Sequence, residues 1–70
     1  MEVLVFKTNV SDKRKVSKVS ALLTSVPSIK QWNFDLDDCD RILRIDSEEN
    51  IVLKITDLLN MHKFYCEELQ

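Results

Sequence analysis

The chain has 70 residues, 44% of them hydrophobic, with no glycine and a formal charge of −2. That length supports one small core and a single domain over residues 1–70, and the near-balanced charge argues against a disordered or nucleic-acid-coating protein. Phosphate-cradling loops and dinucleotide fingerprints need glycine for tight turns and close backbone approach, so those nucleotide sites are excluded.

Val3, Leu4, Val5 and Phe6 form a β-branched and aromatic run, extended by Lys7 and Thr8, that predicts a first strand buried on at least one face. Ser11 or Asp12 can cap the helix that follows, whose apolar residues Val16, Val19, Leu22, Leu23 and Val26 recur at three- and four-residue steps. Pro27 stops it. The opening turn of that helix carries Lys13, Arg14 and Lys15, although its unpaired N–H groups and dipole favour negative charge. Each cation there opposes the helix by a fraction of a kcal/mol, and a broken local rule marks either a solvated turn or a site.

Ile29, Trp32, Phe34 and Leu36 lead into a second strand, with Asn33 and Asp35 alternating onto a wet face. Asp37, Asp38, Cys39 and Asp40 read as a hairpin turn built on aspartates that bond their own backbone. The third strand runs from Arg41 to Asp46, with Leu43 and Ile45 inward and Ile42 and Arg44 outward. Ser47, Glu48 and Glu49 predict the start of a second helix that obeys the dipole rule, with Ile51, Val52, Ile55, Leu58 and Leu59 as its stripe. Asn60, Met61 and His62 end it before a last strand at Lys63 to Glu68, in which Phe64 and Cys66 share a face.

The order is strand, helix, strand, strand, helix, strand. It predicts an α+β, ferredoxin-like βαββαβ sandwich, a four-stranded antiparallel sheet with two helices on one face. Strand directions then place the loops at residues 9–12, 37–40 and 60–63 at one end of the sheet, where a loop-built site would lie.

With this order and length the chain resembles the heavy-metal-associated domain family, the small copper chaperones and the metal-binding domains of metal-transporting P-type ATPases. The likeness covers nearly the whole chain. In that family a short strand leads to MxCxxC opening a helix, then a VxxVxxAL-like stripe and an LPGV turn. Val10 falls on the motif's methionine, Asp12 on its first cysteine and Lys15 on its second. Val16 and Val19 fall on the stripe, Val26-Pro27-Ser28-Ile29 reads as the turn, and Phe64 is similar to the residue that closes over the family's metal loop. The resemblance implies a site where two thiolates would hold soft Cu(I) or Zn(II). Asp12 and Lys15 cannot replace those thiolates, because one hard oxygen beside a permanent ammonium, with Lys13 and Arg14 adjacent, repels a cation. No metal is expected at that loop, and no cofactor.

The remaining candidates each carry two readings. Ser11, Lys13, Arg14, Lys15 and Lys18 are a solvated surface, or an anion site or docking patch for an acidic protein partner. Asp12, Cys39 and His62 are residues of separate loops, or a non-family metal site of proper zinc ligands. The aspartates at 35, 37, 38 and 40 are ordinary turn chemistry, a hard-metal site, or the acid half of a self-complementary contact. Cys39 and Cys66 read as free thiols, and Trp32 and Phe34 as core and not a base-stacking platform. Val3, Val5 and Ile42 face outward on the open side of the sheet and could form an interaction surface.

With one histidine and no Ser/His/Asp grouping, the chain is expected not to be an enzyme. No apolar run nears the ~20 residues of a transmembrane helix and Met1 leads straight into strand-like sequence, so the expectation is a cytoplasmic protein with no membrane and no nucleic acid as partner. The functional expectation is a non-catalytic binding module that lacks the CxxC site and contacts a protein partner or itself. The alternatives are a metal-handling protein using Cys39, His62 and aspartates, and an anion or small-ligand sensor at the first helix N-terminus.

Overall fold

A computed structural model of the chain describes residues 2–69. The elements are β1 (Glu2–Thr8), α1 (Lys13–Leu23), β2 (Ile29–Asp35), β3 (Ile42–Ser47), α2 (Val52–Met61) and β4 (Cys66–Glu68). Every strand pair is antiparallel and the sheet order is β2-β3-β1-β4, which is the expected ferredoxin-like topology.

Alternation along the central strands decides which face is covered. Leu4 and Phe6 of β1 stand opposite Ile45 and Leu43 of β3, and all four are buried. They form one cluster with Val19 and Leu23 of α1 and Ile55 and Leu59 of α2, so both helices pack on that same face. Seven of these eight side chains have no accessible surface, the eighth being Leu4, and this cluster is where burial of apolar area contributes most to stability.

Tertiary pairing overrides the local pattern in three places. Ser47 does not open α2. It is the last residue of β3 and fully buried, and its hydroxyl donates to the Ser28 carbonyl at 3.2 Å while accepting from the Glu49 N–H at 3.2 Å. Cross-strand partners Glu2 and Ile29 hold Ser47 in the sheet, so the helix begins only at Val52, where Asn50 Oδ1 accepts from the Val52 N–H at 3.2 Å. No acid lies in its first turn, and Glu48 instead meets Lys30 at 2.7 Å, which holds the Glu48 carboxyl below its ordinary range.

The last strand is shorter than the pattern from Lys63 onward predicts. Lys63 adopts a left-handed φ of 68°, with its N–H donating to Asn60 at 3.0 Å and the Phe64 N–H donating to Leu59 at 2.9 Å. Those are the two bonds of a Schellman ending, and a chain without glycine puts lysine at the position glycine usually takes. Phe64 therefore belongs to the connection, and β4 starts at Cys66. Ile42 is the third correction. It has outward parity, yet only 5% of it is exposed, with Lys7 and Asp35 as its partners across the strands. The open sheet face thus exposes Val3, at 65%, while Val5 is half-buried and Ile42 is withdrawn.

Candidate functional site

The loops after β1, after β2 and after α2 meet at one end of the sheet, because β1 ends where β3 and β4 begin. Hydrogen bonds tie them together. The Thr8 N–H donates to the Asp40 carbonyl at 3.1 Å, and the Thr8 hydroxyl donates to the Arg41 carbonyl at 2.6 Å while accepting from the Val10 N–H at 3.1 Å. The Tyr65 N–H donates to Asn9 Oδ1 at 3.0 Å, which fastens the third loop to the first. Val10 is fully buried beneath this junction.

Asp12 is the N-cap of α1. Its backbone is extended and its carboxylate accepts from the Lys15 N–H at 2.9 Å, the bond that satisfies an otherwise orphaned donor of the first turn. The carboxylate also brings negative charge to the helix end where the dipole favours it, offsetting part of what Lys13, Arg14 and Lys15 oppose. Lys15 Nζ reaches the Ser11 hydroxyl at 3.4 Å. The helix start already holds an anion of its own.

The basic residues are brought to one end but not to one point. Lys13 lines a groove between α1 and β2 with Val16, Ser17, Ser20, Trp32 and Phe34, whereas Lys18 lines a separate cleft with Ala21, Leu22, His62 and Phe64. Ser11, Lys13, Arg14 and Lys18 are exposed and Lys15 is half-buried. The arrangement is a fan of cations around the helix start, suited to a broad acidic surface more than to one small anion.

Among the described residues one group of possible metal ligands has its atoms within 4.8 Å of one another, namely Asp38, Cys39 and Asp40. Asp12, Cys39 and His62 do not form such a group, since Asp12 caps α1 and His62 lines the Lys18 cleft. The hairpin group is also partly engaged. Asp38 Oδ1 accepts from the Asp40 N–H at 2.8 Å, as aspartate turns do, and Asp40 meets Lys7 at 3.5 Å. The sequence offers Asp38 and Asp40 as turn chemistry, as a hard-metal site or as the acid half of a self-complementary contact, but without Cys39, and their adjacency to Cys39 within one hairpin is the signal that joins the three.

The two thiols differ in kind. Cys39 is exposed, whereas Cys66 is buried under α2 and its thiol is pushed up to about 11 by burial, with the Thr56 hydroxyl acting in the opposite direction. Trp32 and Phe34 pack against the core as the sequence predicts, and the Trp32 indole N–H donates to the Ser20 hydroxyl at 3.2 Å. Among the described residues no helix is long and apolar enough to cross a membrane.

No protein-family model matches the chain, and no curated protein does. Among solved structures, the fold is similar to the solution structure of the N-terminal domain of ZntA in the Zn(II)-form. The TM-score is 0.82 at 13% sequence identity, over 97% of this chain and 92% of that one. At that identity the likeness establishes the fold and not the ligand.

Proposed function

We propose that this protein is a non-catalytic binding module of heavy-metal-associated descent whose loop after β1 no longer holds a metal and instead faces an acidic protein partner. The observation that carries this reading is Asp12. At the position where the resemblance puts a thiolate, its carboxylate is spent on the Lys15 N–H, and Lys15, at the second thiolate position, brings a cation. The similar fold of a zinc-form domain supports the descent, and the fan of Lys13, Arg14, Lys15 and Lys18 supports an acidic partner. The anion-sensor alternative draws less support, because Asp12 occupies the place an anion would take.

Titration of the protein with Zn(II), Cu(I) and Ni(II), followed by amide NMR, tests the reading. Amides 9–16 should stay in place. Tight one-to-one binding that moves them would overturn the proposal. The Asp38, Cys39 and Asp40 group favours a second reading, a metal at the hairpin, in which amides 37–41 move and Cys39→Ser abolishes the response.

A further inference from the structure

β2 lies at the margin of the sheet, paired with β3 on one side and with no strand on the other among the described residues. Its first residues are guarded. Pairing with β3 slips between Ile29 and Gln31, and Lys30 stands at that slip. Irregular pairing and lysine are both devices that keep an edge from recruiting another strand. From Gln31 to Asp35 neither is present, and the register with β3 runs unbroken from Asp46 to Ile42. The open run ends where Arg41 donates to the Leu36 carbonyl.

Along this run the side chains alternate. Trp32 and Phe34 turn toward α1, where with Val16, Leu36 and Lys13 they line a groove of about 500 Å³. Gln31 and Asn33 alternate onto the other face and are exposed, with Asn33 also bordering the groove. Reversed on itself about Asn33, the strand sets Trp32 against Phe34 of a second copy, Gln31 against Asp35, and Asn33 against Asn33. Aromatic and amide pairs of this kind stabilise neighbouring strands, and no like charges meet. The charge along the strand favours the same reversal, since Lys30 marks one end and Asp35, Asp37 and Asp38 the other. A parallel arrangement would put Asp35 beside Asp35. The other sheet edge, β4, offers only three residues, two of them glutamates.

The geometry points to antiparallel pairing of β2 with β2 of a second copy of this chain, a two-fold contact centred on Asn33 that joins two four-stranded sheets into one. This inference does not rest on the loop-end reading, since a strictly monomeric protein would sink it and leave that reading untouched.

Sedimentation velocity on the full chain at rising concentration, with amide NMR on the same samples, tests it. The mass should move toward twice the 8.2 kDa of one chain while amides 31–35 shift. Asn33 is exposed, so Asn33→Lys should leave the spectrum of the rest of the domain intact while weakening self-association by about tenfold or more, through like charges facing at the axis. An equimolar mixture of Asn33→Lys and Asn33→Glu should associate again. A constant single-chain mass overturns the inference. So does association that Asn33→Lys leaves unchanged, including one that moves the amides of the exposed Leu53 and Met61 on α2 instead.

Discussion

β4 and β2 occupy the two margins of the same sheet, yet only β4 is closed to further pairing. β4 is three residues long, carries Glu67 and Glu68, and packs under α2. β2 has seven residues, a neutral stretch from Gln31 to Phe34, and a groove beside it instead of a covering helix. The difference follows from how a βαββαβ chain is filled. α2 runs directly into β4 and its Leu59 carbonyl receives the Phe64 N–H, so the last strand is fastened to the helix that precedes it. β2 is reached from α1 through the turn around Pro27, and the Trp32 indole bond to Ser20 ties its centre back to that helix. A margin is safe when it is short, charged and covered, and β2 meets these conditions only at its first residues.

The contrast breaks most severely if α2 loses its seat. Leu59→Ala, at a fully buried position, should destabilise the fold by about 2–5 kcal/mol in urea unfolding, because little can collapse into the cavity beneath the helix. A loss below about 1 kcal/mol would mean that α2 does not close the β4 side.

Asp12→Ala probes the other margin through the helix that walls its groove. Removing the cap leaves the Lys15 N–H unpaired and three first-turn cations without their resident anion, so stability should fall by about 0.5–2 kcal/mol. Urea midpoints at low and high salt check this, with the smaller loss expected at high salt, where the cations are screened.

The smallest effect is confined to alkaline solution and reports on β4. The Cys66 thiol titrates near 11 in the folded chain, above its ordinary value of 9.0, because burial disfavours thiolate. A raised pKa means that the neutral thiol's contribution is fully present below about pH 9 and is lost as pH rises through about 11. Wild type should therefore lose stability across that window faster than Cys66→Ala does, measured by urea unfolding at each pH. Alkylation at neutral pH should label exposed Cys39 first and Cys66 only on unfolding.

Much of the fold was legible from spacing. The run from Val3 to Phe6, the alternation through Trp32 and Phe34, and the helical stripes at Val19, Leu23, Ile55 and Leu59 each encode one inward face, and the structure buries Leu4, Phe6 and the helical stripes and half-buries Trp32 and Phe34 where the pattern puts them. The aspartate hairpin was legible too, because Asp38 bonds its own backbone two residues on. At the candidate site the sequence narrowed the cap to Ser11 or Asp12 and located the cations, but not how they spread, since Lys13 and Lys18 reach different clefts on opposite flanks of α1.

Local chemistry alone thus determined that the chain alternates strands and helices around one core, and that the loop after β1 carries a cap and cations. Only the tertiary structure decided where α2 begins, how short β4 is, why Ile42 is covered and which margin of the sheet stays open. Those outcomes depend on pairs such as Glu2 with Ser47 and Ile42 with Lys7, which lie far apart in the chain. Their hydrogen bonds and shared burial exist only once the sheet has formed, and they then outweigh the weaker preference of a serine for a helix cap.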